Sequence, residues 1–113
     1  MTLIYKILRD DEYRALKELG ETTGAPIDVA DGYIHFSTAE TVAETAAKYF
    51  DGVTGLKLLA YEDSGMGDAL KYEHSRGGLL FPHLYGLLKH ADAIWVKDLP
   101  FENGAHQFPE GVL

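Results

Sequence analysis

The chain has 113 residues and carries 18 Asp and Glu against 10 Lys and Arg, a formal net charge of −8. This length predicts one domain over residues 1–113, and 46 % hydrophobic residues are typical of a globular protein. The acidic balance disfavours long nucleic acids and anionic membrane surfaces, which bind Lys and Arg. The absence of cysteine excludes disulfides and thiol catalysis. With no secretory signal and no apolar run near about 18 residues, we expect a cytoplasmic protein whose oligomeric state is open.

The first part of the chain predicts a strand, a helix and a second strand. Residues 2–8 form an apolar run of strand length. Residues 10–19 combine an acidic first turn with apolar residues at helical spacing, and a glycine follows as a typical C-cap. Residues 21–31 are rich in turn formers and lead into a strand predicted over residues 33–37.

A second helix is predicted directly after that strand. Ser37 and Glu40 match a capping box, in which a hydroxyl and a carboxylate satisfy the first N–H groups of a helix. The apolar spacing then predicts a buried stripe. Its residues are Ala39, Val42, Ala43, Ala46, Ala47 and Phe50.

The second half of the chain predicts mainly strands. Pro82 and Gly86 indicate that one of them is an edge or irregular strand. The lone Trp95 is expected in the core, and the polar tail from Pro100 is expected to be a surface loop. The predicted strands span residues 55–62, 69–73, 79–88 and 91–99. This order predicts an α+β fold with two helices against a mostly antiparallel sheet of about six strands.

The first candidate site consists of Tyr33, His35 and Ser37. These side chains share one face of the predicted strand, because side chains alternate along a strand. The strand runs into a helix N-terminus, whose free N–H groups suit an anionic or hydroxyl-rich ligand. The structural alternative is that His35 bonds a neighbour and Ser37 only caps the helix.

Two further candidate groups lie in the second half. Glu73 at a strand end suits acid–base chemistry, and Arg76 beside two glycines suits a phosphate or carboxylate. Phe81, His83 and Tyr85 would project to one side of an extended segment and form a platform for a ring. The alternatives are a flexible hairpin loop for the first group and aromatic packing under a loop for the second.

The charge pattern connects these groups. The segment 71–90 holds Lys71, Arg76 and Lys89 against one carboxylate, Glu73, and three of the five histidines. A locally basic segment in an acidic chain predicts a site for a small anion. No histidine pair has the HExxH spacing and no compact Cys/His pattern is present, so no metal is expected.

Three sequence segments resemble one known family. They are DGYIHFST at residues 31–38, LKYE at residues 70–73 and FPHLYG at residues 81–86. The resemblance is to the bacterial and plant family called domain of unknown function 952, and it covers nearly the whole chain. It implies a domain resembling the ADP-ribosyltransferase fold. Residues 33–37 are also similar to the His-x-His-Leu-Ser stretch of RNA 2′-phosphotransferases, with Tyr33 in place of the first histidine.

This resemblance implies roles for individual residues. His35 would bond the ribose or nicotinamide side of NAD, while Tyr85 or Phe81 would stack on the ring. Glu73 would stabilise an oxocarbenium-like sugar, and Arg76 would bind the diphosphate. The chain departs from the pattern, because it lacks the ordered triad of toxin-type transferases and has only three arginines.

Three functional hypotheses follow. The first is an enzyme acting on NAD, ADP-ribose or another small phosphorylated ligand, with NAD as a candidate substrate. The second is a non-catalytic module that binds a small anionic or nucleotide-like ligand, and the third is an interaction protein that uses its exposed aromatics. The expected catalytic residues are His35, Glu73 and His83. The expected ligand-binding residues are Tyr33, Ser37, Arg76 and Tyr85.

Overall fold

The computed structural model describes residues 2–113, apart from the side chain of Arg76. The helices of this part of the chain are α1 (Asp10–Leu19), α2 (Pro26–Asp31) and α3 (Val42–Tyr49). Its strands are β1 (Leu3–Leu8), β2 (Glu21–Thr22), β3 (Ile34–His35), β4 (Leu56–Glu62), β5 (Leu70–His74), β6 (Leu80–Leu84), β7 (Leu88–Lys89), β8 (Trp95–Leu99), β9 (Phe101–Glu102) and β10 (Ala105–His106). Short 3₁₀ segments span Asp63–Ala69, Arg76–Gly78 and His90–Asp92.

Every strand pair in the described chain is antiparallel. In one three-stranded sheet β4 lies between β1 and β8, and in another β6 lies between β3 and β5. The remaining strands pair as β2 with β7 and β9 with β10. Two backbone hydrogen bonds of 2.8 Å between Tyr5 and Ser37 connect β1 to the segment that follows β3. This connection brings β1 beside the strands that carry His35 and His83.

The α+β class is confirmed, whereas the predicted six strands and two helices are wrong. Five of the ten strands in residues 2–113 contain only two residues, too few to show an alternating pattern. Helix α2 lies within the stretch predicted to be turn-rich, and Pro26 occupies its first turn, where the missing N–H is harmless. None of the helices in the described chain is long and apolar enough to cross a membrane.

Strand β1 is buried on both faces, which explains its nearly uninterrupted apolar sequence. Ile4 and Leu8 pack on one side with residues from α1, β3, β4 and β6. Tyr5 and Ile7 pack on the other side with residues from α3 and β4. Lys6 is the charged side chain within this strand and is only 5 % exposed. A charge at such a position requires a partner.

Helix α3 begins beyond the predicted cap, so the capping box at Ser37 is wrong. The backbone of Ser37 pairs with Tyr5, and its hydroxyl donates to Thr45 Oγ1 (3.2 Å). The backbone of Ser37 is therefore part of the sheet, and its hydroxyl contacts the middle of α3, so Ser37 does not cap this helix. Of the predicted stripe, Val42 and Ala46 are buried, whereas Ala39 precedes the helix and is exposed, as is Ala47.

Strand β6 lies at the centre of its sheet, so of the two alternatives predicted around Pro82 the edge strand is wrong. The predicted strand is irregular, because it is interrupted between Leu84 and Leu88. Phe36 N donates to Pro82 O (2.9 Å), but proline has no N–H with which to return the bond. The ladder between β3 and β6 therefore ends at His35. Strand β6 can hold Pro82 at the centre of its sheet because the neighbouring strand β3 ends at His35, directly before the position at which residue 82 would have to donate a hydrogen bond.

The tail from Pro100 forms a hairpin instead of the predicted loop. Asn103 and Gly104 have φ values of 54° and 81°, the positive pair that a two-residue hairpin turn requires. Val112 is buried at 3 % exposure, so the tail packs on the core. Trp95, expected in the core, is half-buried and packs against the core cluster on the α3 side.

Candidate functional site

A cavity of about 770 Å³ is bounded by residues of β1, β3, β6, α2 and α3. Small-molecule sites have volumes of roughly 300–1,000 Å³ and mostly apolar walls with a few polar groups. Here the polar wall includes His35 and His83. The aromatic wall residues are Tyr5, Tyr33, Phe36, Tyr49, Phe50 and Phe81.

The buried carboxylate of Asp28 holds His35 at this wall. Asp28 Oδ1 accepts hydrogen bonds from His35 Nδ1 (2.6 Å) and from the His35 backbone N (3.0 Å). Asp28 Oδ2 accepts from Lys6 Nζ and Ala25 N, both at 2.8 Å. Lys6 Nζ also donates to His35 O (2.9 Å). These bonds replace the hydration of a carboxylate that is 0 % exposed.

The charges of this network determine which atoms carry hydrogen. Burial by itself would raise the pKa of Asp28, but the hydrogen bond from His35 and the charge of Lys6 outweigh burial and lower this pKa to about 2. Burial lowers the pKa of Lys6, and the neighbouring Asp28 carboxylate opposes that shift. Because an ionised carboxylate only accepts hydrogen bonds, His35 Nδ1 carries the hydrogen of the 2.6 Å bond.

The second ring nitrogen of His35 faces a different carboxylate. His35 Nε2 lies 3.0 Å from Asp31 Oδ2, and the Asp31 side chain is 43 % exposed. Asp31 therefore keeps solvent contact, whereas Asp28 has none. Because Nδ1 is committed to Asp28, Nε2 is the ring atom of His35 that can meet a ligand.

A second imidazole lies beside His35 on the neighbouring strand. His83 pairs with His35 in the β3–β6 register, and their ring centroids are 5.5 Å apart. Glu73 Oε1 lies 2.8 Å from His83 Nδ1 and accepts a hydrogen bond from the Tyr85 hydroxyl (2.7 Å). The Tyr33 ring stacks on His83 at 4.1 Å and lies 4.7 Å from His35. One tyrosine ring thus contacts both imidazoles.

The hydrogen bonds around Glu73 determine its ionisation. The bond from Tyr85, and after it the bond from His83, lowers the pKa of the Glu73 carboxyl. The same contact raises the pKa of Tyr85 to about 12. Burial, followed by the charges of Asp31 and Glu73, raises the pKa of Tyr33. The lowered pKa values of Asp28 and Glu73 keep these carboxyls ionised, and the raised pKa values of Tyr33 and Tyr85 keep these phenols neutral.

This arrangement is suited to moving protons. Each imidazole is held through Nδ1 by a carboxylate, so a bound molecule would exchange protons at Nε2. At His35 that molecule would take the place of the exposed Asp31 carboxylate, which lies 3.0 Å from Nε2. Within the described residues, no group of three His, Cys, Asp or Glu side chains could hold a metal ion. The charged wall residues are the cations Lys6 and Arg9 and the carboxylates Asp11, Glu12 and Asp31.

Comparison with known proteins identifies the family. Residues 7–96 match the family model described as Protein of unknown function (DUF952). The chain belongs to this family. It is 47 % identical to protein CC0527 from Caulobacter crescentus, whose crystal structure superposes with a TM-score of 0.90 over 94 % of each chain. The solution structure of CC0527 is 46 % identical, with a TM-score of 0.84 over 94 % of this chain and 91 % of that chain. No curated protein matches the sequence.

The DUF952 match confirms the family predicted from the three motifs. It begins directly after Lys6 and contains the other candidate residues. The likeness to the ADP-ribosyltransferase fold stays a prediction.

The structure brings most of the predicted site residues together, although their roles stay predictions. Ser37 also lines the cavity, but its hydroxyl donates to Thr45. The side chain of Arg76 lies outside the part of the chain that the structure describes. The five that meet are Tyr33, His35, Glu73, His83 and Tyr85.

The basic segment 71–90 is not gathered around the cavity. His74 Nδ1 bonds a backbone carbonyl of its own loop, and His90 Nε2 lies 3.1 Å from the Tyr13 hydroxyl. Both lysines of the segment are exposed. Among its described lysine and histidine side chains, only His83 lines the cavity. Clustering of charge along the sequence therefore does not become clustering in space here.

Lys6 and Asp28 belong to the site but lie in no recognisable motif, and Asp31 begins the DGYIHFST segment without being predicted as a site residue. Lys6 offers one signal, because a single charge within a buried apolar strand requires an opposite charge. The sequence around it does not identify that partner, since Asp28 is 22 residues away. Asp28 and Asp31 both lie in α2, the short helix whose sequence predicts a turn.

Proposed function

We propose that the cavity binds a small nucleotide-like ligand, such as NAD or ADP-ribose, and that His35 and His83 exchange protons with it. The observation that carries this proposal is the pair of imidazoles at one wall, bonded through Nδ1 to carboxylates at 2.6 Å and 2.8 Å. Histidine is the commonest general acid or base, and a bonded Nδ1 defines which nitrogen reacts.

The wall supports a ligand that contains a ring and a sugar. Six aromatic side chains line the cavity, and aromatic faces stack on planar rings. The described wall holds three carboxylates against two cations, and Lys6 is already paired with Asp28. This balance favours the ring and the sugar, not the phosphates, as the groups beside His35.

Glu73 has a different role in this proposal from the one that the sequence suggests. Its Oε1 accepts hydrogen bonds from His83 and Tyr85, and it is not among the described residues that line the cavity. Glu73 therefore supports the proposal as the group that orients His83. The residues that would contact the ligand are Tyr33, His35 and His83.

Titration of the ¹⁵N-labelled protein with NAD, ADP-ribose and 2′-phosphorylated RNA ends tests the proposal. We expect NMR shift changes at Tyr33, His35 and Phe81 and weaker binding in His35→Asn, whose amide can still donate to Asp28. His74→Asn is the matched control, because the described hydrogen bond of the His74 ring goes to a carbonyl of its own loop. Shift changes that avoid the cavity with all three ligands would overturn the proposal.

Product analysis by chromatography separates the enzyme from the binding module. Any ligand that binds is incubated with the wild type, His35→Asn and His83→Asn. Turnover that disappears in both variants supports proton exchange by the two imidazoles. Binding without turnover supports the non-catalytic module and contradicts the proton-exchange part of the proposal.

A further inference from the structure

We propose that Asp28 is a positioning residue that holds His35 in the Nδ1–H tautomer and thereby makes Nε2 the atom that meets a ligand. The inference rests on the proposed function only in assuming that His35 acts on a ligand. The tautomer itself is a property of the unliganded protein.

Asp28 fixes both the backbone and the ring of His35. One oxygen, Oδ1, accepts from the backbone N at 3.0 Å and from Nδ1 at 2.6 Å. Rotation of the imidazole ring would break the bond to Nδ1, while the bond to the backbone N would still hold the main chain of His35 in place. A single carboxylate oxygen thus sets the ring orientation relative to β3.

Asp28 is itself held on its other oxygen. Lys6 Nζ and Ala25 N donate to Oδ2 at 2.8 Å, and the side chain is fully buried. The chain also leaves space for this carboxylate, because a Cβ at Gly24 would lie 2.5 Å from Asp28 Cβ. The carboxylate therefore has one position, with every oxygen engaged.

The charge of Asp28 is what selects the tautomer. An ionised carboxylate can only accept, so Asp28 favours the ring form with hydrogen on Nδ1, while Asp31 Oδ2, 3.0 Å from Nε2, favours the other form. Asp31 is 43 % exposed and water competes for it, whereas Asp28 is 0 % exposed, so the bond to Asp28 is the stronger of the two. The Lys6 ammonium at 2.8 Å favours this ionised state, and the lowered pKa of Asp28 agrees with it. An amide at this position would offer an N–H as well as an oxygen, and the preference would be lost.

His83 provides an internal comparison within the same site. Its Nδ1 is bonded to Glu73, whose side chain is 39 % exposed, whereas Asp28 is 0 % exposed. Water competes for the Glu73 carboxylate but not for Asp28. The proposal therefore predicts a stronger tautomer preference at His35 than at His83.

Imidazole ¹⁵N NMR of the unliganded wild type tests the proposal, because protonated and bare ring nitrogens resonate far apart. In the neutral ring of His35 we expect the Nδ1–H tautomer to be the major form, because the bond to the buried Asp28 is shielded from water and the competing bond to the exposed Asp31 is not. We also expect the Nδ1 proton at low field and slow to exchange with water.

Two carboxylate-to-amide variants form a matched pair. Asp28→Asn should lower the tautomer ratio at His35 by about tenfold and leave His83 unchanged, whereas Glu73→Gln should affect only His83. A structural role alone would change stability without moving these nitrogen resonances. If Asp28→Asn does not fold, the wild-type spectrum still decides the matter.

The proposal is overturned if neutral His35 carries its hydrogen on Nε2, or if a folded Asp28→Asn keeps the wild-type ratio. No ligand enters these measurements. A protein that shows the tautomer but binds no nucleotide would refute the proposed function and leave this inference standing. A protein that binds the ligand but lacks the tautomer would support the proposed function and refute this inference.

Discussion

At the scale of single residues, the two carboxylate–imidazole pairs differ mainly in burial. The Asp28 side chain is 0 % exposed, while Glu73 is 39 % exposed. Electrostatic interactions are stronger away from water, and the loss of one buried partner leaves the other charge without compensation. Substitution of Asp28 is therefore expected to affect folding, whereas substitution of a residue that contacts Glu73 is expected to affect mainly the pKa of the Glu73 carboxyl.

The ionisation of Asp28 makes part of the stability dependent on pH. Its pKa is about 2 in the folded protein against an ordinary value of 3.8, so folding favours the carboxylate. This stabilisation, roughly 2 kcal/mol, is fully present above a pH of about 4 and is lost as the pH falls from about 4 to about 2. Denaturant unfolding at several pH values should show the free-energy difference between wild type and Asp28→Asn shrinking in this window. A difference that stays constant with pH would contradict the prediction.

The hydroxyl of Tyr85 controls the Glu73 carboxyl. It is the largest cause of the lowered pKa of Glu73, so Tyr85→Phe should raise that pKa towards its usual value. The free energy of unfolding should change little, because both side chains are in contact with water, which screens their interaction. An NMR pH titration of the Glu73 side chain measures the shift. Tyr72→Phe is the control, since the Tyr72 hydroxyl bonds Asp63, and equal titrations in the two variants would refute the assignment.

At the scale of elements, helix α2 is the piece that completes the site. Residues three apart lie on the same side of a helix, so Asp28 and Asp31 both reach His35. The helix has six residues and ends at Gly32 with a φ of 85°. Its short length explains why no apolar periodicity reveals it, although Pro26 at its first turn is a usable signal.

The backbone at Gly24 lies close to Asp28, so two glycine substitutions in this part of the chain should lower the stability by different amounts. Gly24→Ala would combine a φ of +110° with a Cβ 2.5 Å from Asp28 Cβ, whereas Gly32→Ala at φ +85° meets nothing within 4 Å. Gly32→Ala should cost about 1–2 kcal/mol of left-handed strain. Gly24→Ala should cost more and should shift the His35 ring resonances. Unfolding curves and NMR spectra measure both effects, and similar losses in the two variants would argue against the close approach.

The sequence predicts the longer elements correctly and misses most of the shorter ones. The strand over residues 2–8 and the helix over residues 10–19 agree with β1 and α1, because an apolar run of six residues and a helical spacing over ten residues are long enough to recognise. The capping box at Ser37 matches in sequence but not in structure, since the sheet uses that residue's backbone. Local motifs predict well only where tertiary contacts do not compete for the same groups.

At the scale of the whole molecule, the connection between the two larger sheets creates the site. The Tyr5–Ser37 bridge places β1, with Lys6, against the segment that carries His35. The central position of β6 then places His83 beside His35. Residues that are far apart in sequence meet because three strands converge, and no one element contains the site.

The C-terminal tail is expected to contribute to this global packing. Val112 is 3 % exposed and belongs to the core on the α3 side, whereas Leu113 is 72 % exposed. Val112→Ala should lower the free energy of unfolding by about 1–3 kcal/mol, and Leu113→Ala by less than about 0.5 kcal/mol. Equilibrium denaturation measures both. Equal effects would show that the tail does not pack in solution.

The sequence by itself determined the acidic charge, the α+β class, the family and the residue types from which a proton-transfer site could be built. These follow from composition, periodicity and motifs, which are local properties of the chain. Only the tertiary structure decided that His35 and His83 share a wall, that Lys6 pairs with Asp28, and that the basic segment is dispersed. The physical reason is that hydrogen bonds and burial depend on how distant strands pair, and no pattern within one segment specifies the pairing of another.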